Sequence, residues 1–149
     1  YHTTGWKIGY CVAPAALSVE FRKVHQYLTF STSTPMQLAL ADIMRDQPSH
    51  YHELPAFYQQ KRDLFNSLIA PGKFLFTPAE GTYFQLVDYS NISDMSDVDF
   101  CQWLIKEVGV AAIPVSVFCN TPPDMRLIRF CFAKGDETLR NAAARIVAI

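Results

Sequence analysis

The spacing of the apolar residues changes at Pro71-Gly72, and this change limits the possible folds more than any other feature of the sequence. Over residues 49–70, apolar residues recur at steps of three and four, which is typical of one face of a long helix. The next runs, 74–77 and 82–89, are short and apolar, and a tight turn at 78–81 separates them, which predicts a hairpin. The sequence therefore predicts a long helix followed by a small layer that contains a sheet.

The residues that follow complete this layer. We expect a helix that is capped by Asp97 and ends at Gly109, then strands at 110–113 and 126–133, and a final helix capped by Asp136. The order strand, strand, helix, strand, strand, helix packs as an α+β layer with the helices on one face of the sheet. The predicted fold class of this part of the chain is therefore α+β.

The first 48 residues do not fit this layer. An apolar run at 8–13 predicts a buried strand, and the apolar residues of 17–28 lie at helical spacing. Thr34, followed by Pro35, is the expected N-cap of a second helix. We interpret these elements as a strand and two helices of another structural unit, which the long helix joins to the layer.

Charge and cysteine content exclude several classes of function. The chain carries 13 basic and 14 acidic residues, a net charge of −1, so we expect neither nucleic acid nor an anionic membrane surface as a partner. No apolar run reaches the roughly 18 residues that span a bilayer. The four cysteines form no C-x-x-C pair, which argues against a zinc site, and their apolar flanks, unlike the Gly-rich loops of a disulfide scaffold, favour a reducing compartment such as the cytoplasm.

Neither the four histidines nor Ser116 lies in a pattern that indicates a metal site or a nucleophile. His50 and His52 are two residues apart near a helix start, so they point to different sides. No metalloprotease signature surrounds the histidines, and no G-x-S-x-G motif surrounds Ser116. We expect surface histidines and no metal.

Five blocks of the sequence resemble one enzyme family and occur in that family's order. They are T-G-W-K-I-G-Y at 4–10, H-Q-Y-L-T-F at 25–30, G-T-Y-F at 81–84, G-V-A-A-I-P at 109–114 and L-I-R-F-C-F at 127–132. The blocks are similar to those of fold-type I, or class I and II, aminotransferases that depend on pyridoxal 5'-phosphate (PLP), with the methionine and kynurenine aminotransferases as the most similar branch. The resemblance covers nearly the whole chain.

This resemblance implies that the chain is the C-terminal portion of such an enzyme. Residues 1–48 are then the end of the large PLP-binding domain, 49–72 the linking helix and 73–149 the small α+β domain. In the family, the lysine that forms a Schiff base with PLP precedes a basic residue by eight positions. Because Lys7 is the basic residue here, the resemblance puts that lysine two residues before Tyr1. We therefore expect no catalytic residue in the chain and no activity of the chain alone.

The resemblance also implies a role for four residues. Arg129 matches the arginine that binds the α-carboxylate of the substrate, a task for which a planar guanidinium is suited. Lys7 would bind the phosphate of PLP in the same cleft. Phe30 would line the substrate pocket of the neighbouring subunit, and Tyr83 would contact the substrate.

Each of these residues has an ordinary structural alternative. A strand arginine often pairs with a surface carboxylate, a single lysine at a strand start is usually exposed, and Phe30 or Tyr83 would be an aromatic at a helix end or in a hairpin. Arg126 lies an odd number of residues from Arg129, so on a strand it points to the other face. Arg129 is therefore the better candidate for carboxylate binding.

The resemblance implies an enzyme that transfers the amino group of methionine or an aromatic amino acid to a 2-oxo acid, as a cytoplasmic homodimer with its active sites at the interface. Two alternatives stay open. A PLP-dependent C–S lyase has the same fold, and fold alone does not determine the reaction. A small α+β domain is also compatible with a non-catalytic module that binds a partner or RNA, although the near-neutral charge disfavours RNA.

Overall fold

Five α-helices and a three-stranded sheet make up the described parts of the chain. The structure is a computed structural model and describes residues 1–121 and 125–149. The helices are α1 (Ala15–Leu28), α2 (Thr34–Asp46), α3 (Pro48–Ile69), α4 (Asp97–Trp103) and α5 (Asp136–Val147), and the strands are β1 (Phe84–Asp88), β2 (Ile113–Pro114) and β3 (Leu127–Cys131). Short 3-10 turns lie at Thr4–Trp6 and Ser116–Phe118, and a π-helical turn follows α4 at Leu104–Val108. Among these helices, none is both long enough and apolar enough to cross a membrane.

The chain divides into two compact units within α3. Residues Tyr1–Leu54 form the first unit and Pro55–Ile149 the second. α3 is continuous across the division, although Pro55, which has no backbone N–H to donate, lies inside it. The linking helix expected at 49–72 corresponds to α3, whereas the assignment of the residues on either side to two domains of a larger enzyme stays a prediction.

β3 is the central strand of the sheet and pairs antiparallel with β1 on one side and with β2 on the other. Arg129 lies opposite Leu86 of β1 and opposite Ile113 of β2. Side chains of directly opposed residues share a face of the sheet, so Arg129 lies between the two neighbouring strands. A bridge between Leu75 and Asp88 extends the pairing of β1.

One face of the sheet carries the hydrophobic core of the second unit. Ile128 and Phe130 of β3 are buried there and alternate with Arg129 and Cys131, which are not buried. The ring of Phe130 packs edge-on against Phe65 of α3 and against Phe74. Further buried residues come from α4 and α5: Phe100, Cys101, Leu139, Ala143 and Ile146. Helices thus cover one face, and the α+β fold class predicted from the sequence is confirmed. The face that carries Leu86, Arg129 and Cys131 is called the open face below.

A buried glutamine ties the segment before β1 to the sheet. The Gln85 side chain is almost fully buried, and its amide nitrogen donates to the carbonyl oxygens of Thr77 and Leu86, both at 2.8 Å. Its Oε1 accepts from the backbone N–H of Ala79 at 3.0 Å and from the side chain of Asn66 at 3.2 Å. Because these bonds satisfy the buried amide, the turn that carries Ala79 is held against the sheet.

Two expected strands are shorter in the structure. The first strand of the expected hairpin is reduced to the bridge at Leu75, and β1 pairs mainly with β3 rather than with its neighbour in sequence. The strand expected at 110–113 is reduced to β2. Both segments are apolar, but only the residues that reach a partner strand form ladder hydrogen bonds.

The helix ends follow the sequence signals more closely than the helix starts. Gly109 ends the helical segment in the left-handed region, with a φ of 72°, as expected of a C-terminal glycine. Ser96 caps α4, since its hydroxyl oxygen accepts from the N–H of Asp99 at 3.1 Å. The expected caps are instead the first residues of α2, α4 and α5, which are Thr34, Asp97 and Asp136.

The first unit contains two complete helices and no buried residue in either of them. α1 and α2 expose their apolar side chains, among them Leu17, Phe21, Val24, Leu28 and Leu38. The prediction of a buried strand at 8–13 is wrong, because these residues form no strand and Val12 is 89% exposed. A strand needs a neighbouring strand to satisfy its backbone, and the described residues of Tyr1–Leu54 include none.

Replacing Phe130 with alanine tests the assignment of the core. Because the side chain is buried against two rings, the change removes apolar burial and leaves a cavity, with an expected loss of about 3–5 kcal/mol in the free energy of unfolding. Urea unfolding followed by circular dichroism measures this loss. The control is Ile105→Ala at an exposed position of the same unit, which should change the stability by only about 0.5 kcal/mol. Equal losses in the two variants would contradict the core described above.

Candidate functional site

The guanidinium of Arg129 lies against two aromatic rings on the open face of the sheet. Its Cζ is 4.5 Å from the ring centroid of Phe84 and 5.4 Å from that of Phe118. Phe84 belongs to β1, and Phe118 ends the 3-10 turn that follows β2, so the two rings come from the two sides of the central strand. Both distances are within the range of cation–π attraction.

Arg129 binds no carboxylate within residues 1–121 and 125–149, although it is partly buried. Arg126, three residues earlier, donates to Asp94 at 2.8 Å and to the carbonyl oxygen of Ser93 at 2.9 Å. Among the described residues, the ordinary alternative, an arginine paired with a surface carboxylate, describes Arg126 and not Arg129. The N–H donors of the Arg129 guanidinium bind no acceptor in this part of the chain and could bind a ligand.

A buried carboxylate holds the 3-10 turn that carries Phe118. Asp97, in the first turn of α4, is 6% exposed, and its two oxygens accept from the backbone N–H and the hydroxyl of Ser116, both at 2.7 Å. Burial pushes the pKa of Asp97 upward, but the hydrogen bonds from Ser116 and from the N–H groups of Val98 and Val115 outweigh burial and hold the pKa below its usual range. Asp97 is therefore ionised at neutral pH.

Tyr83 lies beside this cluster, directly before β1. Its half-exposed ring is edge-on to the ring of Phe84, with centroids 5.7 Å apart, and its centroid is 6.5 Å from that of Tyr58 in α3. In the turn before it, the positive φ, 67°, occurs at Thr82 rather than at Gly81, and a Cβ at Gly81 would meet no described atom within 4 Å. Tyr83 thus adjoins Phe84, which in turn contacts Arg129.

Lys7 and Phe30 belong to the first unit. Lys7 follows the 3-10 turn Thr4–Trp6 in the left-handed backbone region, with a φ of 56°, and it is exposed. Phe30 follows α1, also with a positive φ of 62°, and its ring is exposed. Their expected roles, and the expectation that Lys7 and Arg129 line one cleft, concern the relation between the two units and stay predictions.

The arrangement around Arg129 is suited to anion binding. Cys101 of α4 is a poor nucleophile, because burial and the negative charge of Asp97 raise the pKa of its thiol to about 11. Within the described part of the chain, no three His, Cys, Asp or Glu residues come together as metal ligands. The groups that remain are the Arg129 guanidinium, whose donors bind no acceptor among the described residues, and the aromatic rings beside it.

The sequence singled out Arg129 but not the residues that surround it. The sequence indicates only weakly that Phe84 lies near Arg129. Alternate residues of two neighbouring strands share a face of the sheet, but which of them do so is known only once the register is known. The sequence does not indicate Phe118 or Asp97, because they come together through Ser116, which is 19 positions from Asp97 in a loop without periodicity.

Comparison with known families decides the class of this chain. The sequence model of the family described as Aminotransferase class I and II matches residues 1–146. The chain belongs to this aminotransferase family. The resemblance inferred from the five sequence blocks is thus confirmed at the level of the family.

Individual aminotransferases are similar over nearly all of the chain. Methionine aminotransferase of Escherichia coli (strain K12) is 60% identical over 146 residues, which cover 98% of this chain and 38% of that enzyme. Kynurenine–oxoglutarate transaminase 3 of Rattus norvegicus is 34% identical over 161 aligned residues, which cover 95% of this chain and 36% of that enzyme.

Solved aminotransferase structures have the same fold. YbdL of Escherichia coli, described as having a methionine aminotransferase function, matches with a TM-score of 0.93 and 59% identity over 100% of this chain and 39% of its own. N-succinyldiaminopimelate aminotransferase of Mycobacterium tuberculosis matches with a TM-score of 0.89 and 33% identity over 99% of this chain and 39% of its own. The chain thus spans less than two-fifths of the length of these relatives.

The contact between Asp97 and Ser116 predicts how the stability of this aminotransferase chain depends on pH. Because folding lowers the pKa of Asp97, the ionised carboxylate stabilises the folded chain above about pH 4, and this contribution is lost as the pH falls from there through the lowered pKa. We expect Asp97→Asn to lower the urea midpoint at about pH 7, and the difference from wild type to narrow below about pH 4.

Ser116→Ala is the matched control for this titration. It removes the hydroxyl but keeps the backbone N–H and the carboxylate, so its loss of stability at neutral pH should be smaller than that of Asp97→Asn. A difference between wild type and Asp97→Asn that stays constant down to about pH 3 would show that the carboxylate has no lowered pKa.

Proposed function

We propose that this chain is part of a PLP-dependent aminotransferase that transfers the amino group of methionine or an aromatic amino acid to a 2-oxo acid. The observation that carries the proposal is the partly buried guanidinium of Arg129, which lies against Phe84 and Phe118 and has no carboxylate partner among the described residues. Membership of the aminotransferase family supplies the reaction class. The identity of 60% with a methionine aminotransferase supports the choice of amino donor.

Arg129 binds the α-carboxylate of the amino acid in this proposal. Two parallel N–H bonds from a planar guanidinium fix both the position and the angle of a carboxylate. Because Arg129 lies on the middle strand of three, neighbours on both sides hold its backbone. The partly buried ring of Phe84 shields one side of the guanidinium from water, which strengthens the ionic bonds.

Lys7 is the residue that we propose for the cofactor. It is exposed and forms no ion pair with a described residue, so its charge is available to a phosphate group. PLP, when bound, supplies the electron sink that lets the α-carbon lose its proton. The lysine that forms the Schiff base is proposed to lie outside these 149 residues, so the chain alone is proposed to be inactive.

The surroundings of Arg129 favour an apolar or aromatic substrate. Phe84, Phe118 and Tyr83 present aromatic surface beside the guanidinium, and such surface suits a thioether or a ring better than a second carboxylate. Phe30 is proposed to add to this surface from the neighbouring subunit of a homodimer. All four cysteines are free thiols, which agrees with the proposed cytoplasmic location.

Substitution of Arg129 in the full-length enzyme that contains this chain tests the proposal. Arg129→Gln removes two hydrogen bonds to a charged group, worth about 3–6 kcal/mol together, so kcat/KM for methionine should fall about a hundredfold or more. The assay follows the new amino acid formed from an added 2-oxo acid. Arg126→Gln is the matched control: it removes a neighbouring guanidinium that already pairs with Asp94 and should retain most of the activity.

Two outcomes would contradict this assignment. Equal kcat/KM values for Arg129→Gln and wild type would show that Arg129 does not bind the substrate. Release of ammonia from the amino acid without formation of a new amino acid would indicate a C–S lyase, which shares the fold but not the reaction.

A further inference from the structure

We propose that Phe118 is a positioning residue for Arg129, and that Asp97 holds Phe118 in place through Ser116. The inference rests on the proposed function, because it assumes that Arg129 binds the substrate carboxylate. In this arrangement the buried carboxylate fixes the 3-10 turn, the turn fixes the ring, and the ring fixes the plane in which the guanidinium meets its ligand.

The Arg129 side chain needs such support because its own contacts do not fix its end. Its guanidinium forms no hydrogen bond to the part of the chain that the structure describes, and a long arginine side chain can adopt many rotamers when nothing holds its end. Phe84, on β1, lies diagonal to Arg129 in the register and supports it from one side only. The Phe118 ring, 5.4 Å from Cζ, approaches from the side of β2.

Burial does not explain where the Phe118 ring lies. Phe118 is 67% exposed, so the ring gains little apolar burial in its place. The backbone of the 3-10 turn sets its position: the N–H of Phe118 donates to the carbonyl oxygen of Val115 at 3.1 Å, and the N–H of Cys119 donates to that of Ser116 at 3.0 Å. A single 3-10 turn has poor hydrogen-bond geometry and is weak by itself, so it needs an anchor.

Asp97 supplies that anchor. Both of its carboxylate oxygens accept from Ser116, two residues before Phe118, and the side chain is almost fully buried. No cation within residues 1–121 and 125–149 forms an ion pair with it. Hydrogen bonds to the turn and the N-terminal end of α4 therefore offset the cost of burying this charge. Since α4 packs into the core through Phe100, the anchor connects the turn to the rigid part of the unit.

A ring that orients the guanidinium has a different effect on binding from a ring that only lines a pocket. Loss of orientation weakens the binding of a ligand that has a carboxylate and spares a matching ligand without charge. Loss of lining surface weakens both ligands equally. Two ligands that differ only in the carboxylate therefore separate the two roles.

The experiment measures the Kd of 3-phenylpropanoate and of its neutral amide, 3-phenylpropanamide, by titration calorimetry on the full-length, PLP-loaded enzyme. For Phe118→Leu, the affinity for the carboxylate should fall about fourfold, which corresponds to a cation–π contact at an exposed site, and the affinity for the amide should stay nearly unchanged. Asp97→Asn keeps the size of the side chain. Like Phe118→Leu, it should weaken the binding of the carboxylate and leave the binding of the amide nearly unchanged. Phe118→Tyr keeps a ring and should retain the wild-type preference for the carboxylate.

Val117→Ala is the matched control, because Val117 is an exposed residue of the same turn. It should leave both dissociation constants unchanged, and a loss equal to that of Phe118→Leu would overturn the positioning role. The role is also overturned if Phe118→Leu binds the carboxylate as well as wild type does, or weakens both ligands equally.

Arg129→Gln distinguishes failure of this inference from failure of the proposed function. If Arg129→Gln binds 3-phenylpropanoate as tightly as wild type does, the proposed function fails. If Arg129→Gln loses this affinity and Phe118→Leu keeps it, only the positioning role is wrong. Circular dichroism shows which variants fold. If Asp97→Asn does not fold, the positioning role is tested by Phe118→Leu and Phe118→Tyr alone: only the variant without an aromatic ring should lose affinity for the carboxylate.

Discussion

Backbone hydrogen bonds hold β3 between β1 and β2, and the rest of the second unit depends on this pairing. Because side chains alternate along a strand, the register that buries Ile128 and Phe130 also puts Arg129 on the other face. A shift by one residue would turn the guanidinium into the core and two core residues into water, at a large cost. The same register therefore determines both which residues of β3 are buried in the core and that Arg129 lies on the open face.

The charged side chains of this unit form two kinds of contact: ion pairs, and hydrogen bonds to uncharged groups. Arg126 and Asp94 pair directly near the surface, as do Lys61 and Asp136, and such contacts contribute little to stability. Arg129 and Asp97 do not pair, and the Asp97 carboxylate binds Ser116 instead. A direct pair between them would have neutralised the guanidinium and occupied its donors. Arg129 is thus left without a carboxylate partner among residues 1–121 and 125–149.

The sequence predicts those features that repeat along the chain. Apolar spacing predicts the long helix at 49–70, which the structure has at Pro48–Ile69, and a glycine predicts the end of the helical segment at Gly109. The same patterns predict the α+β layer. The family blocks indicate Arg129 as the candidate residue. The run at 8–13 was misread as a strand, because apolar composition does not reveal whether a partner strand exists.

The surroundings of Arg129 are not predictable from the sequence for a different physical reason. Phe118 is placed by a turn, and the turn by two hydrogen bonds to a carboxylate far away in the chain. Contacts of this kind leave no periodic pattern, and they appear only when strands, helix and loop are assembled. The candidate residue for ligand binding can thus be read from the sequence, whereas the groups that surround it require the structure.

α1 and α2 have a consequence for the thermodynamics of the first unit, because they bury no residue. Helices of 14 and 13 residues are marginal in water when they stand alone. Their helical state therefore depends on whatever surface covers their apolar sides. For these two helices, helix formation and the burial of their apolar sides are therefore one equilibrium.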